Sequence, residues 1–206
     1  VDDGSKDGSL AKLLSFKKNY KNIKVIKLTR NFGSMSAIRI GANFVTGDAF
    51  VFLAADMQEP PRLIIEMTDR WLNGAKYIVC SREDRQDPIL TKVFAGIYYF
   101  LLKVFLIKNY PAGGYDLVMM DKRMLSFIKN SDKSTNLLLR AHILGFQKEV
   151  ISYKRQKRAS GKSMWTFAKK LNFFIDSILG CSAMPLRYVS IIGLAASALS
   201  FIYSLY

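Results

Sequence analysis

Residues 49–61 read AFVFLAADMQEPP. The apolar run 49–54, with Val51 between two phenylalanines, is too short for a core helix and predicts a buried strand. It ends on a carboxylate, Asp56, followed by the carboxamide of Gln58 and then Pro60-Pro61. Prolines suit the first turn of a helix, here running through Leu72. Working outward, the alternation repeats. Toward the N-terminus, Val1-Asp2-Asp3 reads as the tail of a strand, GSKDGS (4–9) as a turn opening a helix through Lys18, and IKVIKL (23–28) as a strand. SMSAIRIGANFV (34–45) reads as a helix whose Ser34 or Ser36 can cap its start. Toward the C-terminus, YIVCS (77–81) is the next strand. Strands separated by helices of about ten to fifteen residues predict a parallel, doubly wound α/β sheet.

Ligands of such sheets bind outside the carboxyl ends of the strands. Three polar clusters fall there: Asp2-Asp3-Gly4-Ser5, Asp56-Met57-Gln58-Glu59 and Ser81-Arg82-Glu83-Asp84-Arg85. Their convergence on one rim is the functional signal. Carboxylates at a strand end accept hydrogen bonds from a nucleobase or ribose, while Gly4 and Gly8 permit a tight return. Asp-Gly-Ser is also an ordinary turn signal. Asp56 and Gln58, at i and i+2, can present oxygens to one hard cation such as magnesium, which takes one or two carboxylates plus substrate phosphates. The plainer alternative for Asp56 is a helix cap before Pro60.

The chain has 206 residues, 50% hydrophobic, with a net charge of +15. That excludes a disordered basic tail, and the absence of a short repeat excludes a collagen or solenoid. Cys80 and Cys181 stand far apart without a CxxC, so neither a zinc site nor a disulfide framework is indicated and a reducing compartment fits. Residues 121–170 hold 13 Lys/Arg against three acids, two thirds of the whole excess. Such a concentration points to nucleic acid, an anionic membrane or phosphorylated substrates. The nineteen uncharged residues 188–206 decide for the membrane, because as a helix they approach the roughly 30 Å hydrocarbon thickness. The flanking Lys154, Arg155, Lys157, Arg158, Lys162, Lys169, Lys170 and Arg187 put the bulk of the chain in the cytoplasm by the positive-inside rule.

Two further segments bear on the membrane. Residues 92–108 contain an apolar run broken by Gly96 and Lys103, suited to the core or the interface, with Lys103 snorkelling. Residues 161–184 read as an amphipathic helix with Met164, Ala168, Leu171, Ile175 and Ile178 on one stripe and Trp165 as an interfacial anchor. That stripe serves equally well for packing on its own domain. His142, in an apolar stretch, reads as structural. Val1 standing at a strand end, and a last residue inside an apolar segment, give the expectation of a fragment lacking its first strand and its C-terminal end.

Five stretches in order, VDDGSKDGS (1–9), LTRNFGSMSAIRIGANFVTGD (28–48), AADMQEPP (54–61), GGYDLVMMDKR (113–123) and YKRQKRASGKSMWTF (153–167), resemble the inverting GT-A glycosyltransferases of family 2. Within them the chain is similar to the polyisoprenyl-phosphate branch, which includes dolichyl-phosphate mannose synthase and bacterial undecaprenyl-phosphate glycosyltransferases. The resemblance implies a Rossmann-like GT-A domain with a doubly wound, mostly parallel sheet over 1–160, an amphipathic juxtamembrane helix over 161–184 and a transmembrane helix over 185–206. It implies that Asp2, Asp3, Gly4 and Ser5, with Arg30, Asn31 and Gly33, hold the nucleotide sugar, UDP- or GDP-linked. Asp56 and Gln58 match metal-binding positions for Mg2+ or Mn2+, and Asp56 and Asp116 match catalytic ones. Arg155, Arg158, Gly161 and Ser163 match a phosphate-binding stretch, which Lys162, and more weakly Arg82 and Arg85, extend. Transfer to a polyprenyl phosphate at the cytoplasmic face is the implied activity, and a homo-oligomer is compatible with it.

Two positions depart from the family pattern: Ala54 replaces the first aspartate of DxD, and Val118 replaces an arginine. A non-catalytic scaffold that kept the fold is therefore one competing reading. A processive polysaccharide synthase is another, though the Q-x-x-R-W acceptor motif typical of those enzymes is absent. Nucleic-acid binding has charge in its favour but no RNP, helix-turn-helix or zinc signature.

Overall fold

The computed structural model describes residues 1–83, 115–131, 137–156, 166–180 and 182–206, together with Gly96, Ile97, Phe100, Lys103 and Val104. Four strands form one sheet: β1 (Ala49–Phe52), β2 (Tyr77–Arg82), β3 (Tyr115–Asp121) and β4 (Lys148–Tyr153), in the order β1-β3-β2-β4. β2 and β4 are parallel, but β3 lies antiparallel to both β1 and β2. Three of the four described strands thus run one way, as a mostly parallel sheet requires, while β3 runs against them and makes the sheet mixed where the helix–strand alternation alone predicts a parallel one. β1 and β2 do run the same way, joined through a helix as a βαβ unit demands. The slot between them is filled by a strand from much later in the chain, running the other way.

Strand alternation sorts the core into two layers. Phe50, Tyr77, Val79, Val118 and Met120 face Ala42 of α2 (Ser34–Ala42), the 3-10 turn Lys122–Met124, Ile128 of α4 (Leu125–Lys129), and Leu137 and Ala141 of α5 (Leu137–Ile143). Ile78, Cys80, Leu117, Met119, Ile151 and Tyr153 face Leu63 and Met67 of α3 (Leu63–Leu72). Each fully buried aliphatic side chain contributes about 1.5–3 kcal/mol relative to exposure. Val118 is one of them, opposite both Phe52 and Val79. That explains the departure noted above: the side chain at 118 fills the core rather than the rim. Burial also pushes the free Cys80 thiol up to about 12, with Glu66 adding to it, so it stays protonated and inert.

Residues 23–28 form no ladder. Lys27 makes a single parallel bridge with Asp2, whose N–H donates to the Ile26 carbonyl at 2.7 Å and whose carbonyl accepts from Leu28 at 2.9 Å. α1 (Ser9–Asn19) buries none of its residues. α2 is shorter than expected and begins from Gly33, without a side-chain cap from Ser34 or Ser36. α3 starts after Pro60-Pro61, whose carbonyls accept from Leu63 and Ile64 at 3.0 Å each.

At the far end of the sheet Asp121, 4% exposed, gathers four interactions from three residues. It accepts from the Trp71 indole at 3.1 Å and the Arg123 N–H at 3.1 Å, and pairs with Lys76 at 3.6 Å and the Arg123 guanidinium at 3.2 Å. Beyond the sheet come α6 (Phe167–Leu179) and α7 (Met184–Leu205). In α6, Ser177 and Ile178 are buried while Leu171, Ile175 and Leu179 are exposed. Of the expected stripe, Ile178 is thus packed and Leu171 and Ile175 are exposed, while Met164, Trp165 and the side chain of Ala168 lie outside what the structure describes. α7 has 22 residues, about 33 Å of helix, and none of its side chains is buried. Among the described residues it is the helix long and apolar enough to cross a membrane.

Candidate active site at the strand rim

With β1, β2 and β4 running together and β3 against them, the ends of three strands and the start of the fourth share one edge. Arg82 ends β2, Asp116 is second in β3, Tyr153 ends β4, and the 56–59 segment follows β1. Arg82 grips Asp116 with two nitrogens: Nε donates to Oδ2 and Nη2 to Oδ1, the latter at 2.6 Å. The Tyr153 hydroxyl donates to Asp116 Oδ2 at 3.0 Å.

A break in register makes this possible. Cys80 lies opposite Leu117 but Ser81 lies opposite Tyr115, so Asp116 is the extra residue of a β-bulge. Strict alternation would put Asp116 on the face of Val118. The bulge re-aims it onto the face of Cys80 and Tyr153, where Arg82 also falls.

The charges settle accordingly. Burial pushes the Asp116 carboxyl up, but the Arg82 bonds and charge, with Arg155 and Tyr153, outweigh it and hold the group below the usual carboxylate range. Burial, then the charge of Asp116, raise the Tyr153 phenol, which remains a donor. Glu59 is 3% exposed and pairs with Arg155 at 3.2 Å. Burial raises its carboxyl, Arg155 opposes, and the neighbouring charges of Asp116 and Asp56 raise it further. Two guanidinium groups and three carboxylates are thus electrostatically coupled at one edge.

Asp56 and Gln58 come from the same loop. Asp56 Oδ1 accepts from the Gln58 N–H at 3.4 Å, and between them Met57 adopts φ 57°, alone among the described non-glycine residues in having positive φ. Strain of this kind tends to collect where function over-determines the backbone. Among the described residues no group of three His, Cys, Asp or Glu is arranged to hold a metal. The donors present, one carboxylate and one carboxamide with further negative charge nearby, fit a magnesium-type ion that takes its remaining ligands from substrate phosphate and water. Ala54 is exposed beside them and adds no donor.

The nucleotide residues form a second group. Asp3 accepts from Phe32 N–H at 2.7 Å and Gly33 N–H at 2.8 Å, one on each oxygen, and so fastens the 30–33 loop. Gly4 has φ 71°, and a Cβ there would meet the Arg30 carbonyl carbon at 2.5 Å. The Arg30 guanidinium lies over the Phe32 ring at 4.9 Å, and Asn31 is exposed. Asp2, 4% exposed, takes the Ser5 N–H on Oδ1 at 3.2 Å, while its Oδ2 has no partner among the described residues. Of the acidic pair, Asp3 builds the loop and Asp2 keeps an acceptor in reserve. Arg85, Arg158, Lys162 and Ser163 lie outside the described residues, as does most of 92–108.

Sequence reasoning counts Glu59 in the 56–59 cluster without giving it a role of its own, and does not single out Tyr153. The signal for Glu59 was available, a charge directly before Pro60-Pro61, whereas Tyr153 is one tyrosine among ten.

An α/β domain with acidic loops at its strand ends and cations beside them defines a class, and comparison with known proteins agrees. The glycosyl transferase family 2 profile matches residues 1–129, and the chain belongs to that family. It is similar to an uncharacterized glycosyltransferase of Synechocystis, 30% identical over 206 residues, covering 99% of this chain and 65% of that protein. It is likewise similar to the uncharacterized glycosyltransferase YkcC of Bacillus subtilis, 31% identical across 98% of this chain and 64% of that protein. The bactoprenol glucosyl transferase of Shigella phage SfX is 28% identical, covering 98% of this chain and 67% of its own length. The chain spans less than two thirds of the first two of these relatives.

Proposed function

We propose that this chain belongs to a membrane-bound, inverting glycosyltransferase that moves a sugar from a UDP- or GDP-sugar to a polyprenyl phosphate. The reading takes residues 1–160 as a GT-A catalytic domain, 161–184 as a juxtamembrane segment containing α6, and α7 as its membrane anchor, with the catalytic face cytoplasmic. The observation that carries it is the pairing of Arg155 with Glu59 beside the Asp56–Gln58 loop, a cation set next to carboxylates at one strand edge. A relative named bactoprenol glucosyl transferase supports the lipid acceptor.

The chemistry suits these residues. The donor enters on Asp2, whose spare oxygen accepts from base or ribose, and on the loop that Asp3 fastens. Asp56 and Gln58 would hold a divalent ion, which when bound would offset the charge developing on the leaving diphosphate. The acceptor is a phosphate anion and already nucleophilic, so no strong base is required. It needs cations instead, because two anions repel. Arg155, with Arg158, Lys162 and Ser163, supplies them, guanidinium matching phosphate through paired donors. Arg82 contributes mainly through Asp116, to which it commits two nitrogens. Asp116, kept ionised, is a fixed charge at the transfer site rather than a proton donor.

Full-length protein incubated with labelled UDP- and GDP-sugars, polyprenyl phosphate and magnesium is expected to yield sugar-labelled lipid. Asp56→Asn should lower the rate by about a hundredfold or more, the scale of losing an ion's charge stabilisation. Label remaining in nucleotide sugar or free sugar with every donor would overturn the reading.

A further inference from the structure

Segments 56–59 and 153–156 are separated by almost a hundred residues, yet they are fastened at three points. Arg155 Nη2 meets Glu59 Oε1 at 3.2 Å, the Gln156 N–H donates to the Gln58 carbonyl at 3.0 Å, and Gln58 Nε2 donates to the Gln156 carbonyl at 3.5 Å. The fastening is unequal in stiffness. Glu59 is 3% exposed and precedes two prolines, the first buried, whose rings fix the backbone that carries it. Arg155 stands two residues beyond the last pairing of β4, with 29% of its side chain exposed. Glu59 is therefore the anchor and Arg155 the group that is held.

The held guanidinium is incompletely satisfied. Its Nε is buried and has no hydrogen-bond partner among the described residues. A buried N–H of a cation without an acceptor costs free energy, and an anionic oxygen is the partner that recovers most. Arginine offers two edges, so one can stay with a carboxylate while another takes a phosphate oxygen.

We propose that Glu59 is a positioning residue: by anchoring Arg155 it presents the guanidinium to the acceptor phosphate and fixes that cation's separation from the Asp56–Gln58 loop. Donor-side and acceptor-side charges are then spaced by one ion pair rather than by the two loops independently. The inference rests on the function proposed above, with Arg155 receiving the acceptor.

Steady-state kinetics on full-length protein in detergent, varying polyprenyl phosphate and nucleotide sugar separately, tests it. Glu59→Gln, which keeps shape and removes charge, is expected to raise the KM for polyprenyl phosphate by about tenfold, with donor KM and kcat within about twofold. Arg155→Gln should raise it similarly, and the double variant should add little, since both changes break the same contact. Glu59→Asp, which keeps the charge on a shorter stem, should recover part of the loss, and it carries the comparison alone if Glu59→Gln does not fold. An unchanged lipid KM, additive effects in the double variant, or a defect confined to donor KM or kcat would overturn the inference while leaving the proposed function standing. A wild-type protein that transfers no sugar to polyprenyl phosphate would overturn both.

Discussion

Gly4 turns the chain at φ 71° with its α-carbon pressed against the Arg30–Asn31 peptide. A Cβ would lie 2.5 Å from one backbone carbon and 2.8 Å from a backbone nitrogen, neither of which can step aside as a side-chain tip would. Gly4→Ala is therefore expected to push the 2–5 and 30–33 loops apart, breaking the Asp3 bonds and raising donor KM by about tenfold or more, measured by nucleotide titration. The glycine and its acidic neighbours were legible from residue types alone. What could not be read was the division of labour within the pair. Asp2 and Asp3 are identical in chemistry, and only folding decides which spends its oxygens on the N–H groups of Phe32 and Gly33.

At the scale of elements, β3 carries the lesson. Its apolar run 117–120 has neither a period of two nor a direction, so sequence could not tell that it enters as a strand antiparallel between β1 and β2. The codirectional β1 and β2, by contrast, followed from the helix between them. The C-terminal end of β3 is pinned by Asp121 with Trp71, Lys76 and Arg123. Burial raises its carboxyl, but the Arg123 N–H, the Trp71 indole and the two cations prevail and depress it. A depressed carboxylate stabilises the fold above its unfolded pKa, and the contribution is lost as pH falls through the folded value. Asp121→Asn is thus expected to cost about 1–2 kcal/mol at pH 7. The gap to wild type should close progressively below pH of about 4, as followed by thermal unfolding across pH.

For the whole molecule, charge and apolarity are both concentrated toward the C-terminus, and that asymmetry was legible from counting. If α7 anchors the protein, full-length chains are expected to stay with membranes from low salt up to about 1 M, where the Debye length is about 3 Å. Chains ending before Met184 should sediment with anionic vesicles at low salt and be released as salt rises. Sedimentation at several ionic strengths separates the two behaviours. Release of the full-length chain by salt alone would remove the anchor. How the rim is wired was the illegible part, because Arg82, Asp116 and Tyr153 meet only through a slipped register. That slip also sets a limit on improving the protein. The sheet would pair more regularly without the extra residue, so breeding for heat endurance alone favours shedding it, and the sturdier descendant would have lost the carboxylate that Arg82 holds.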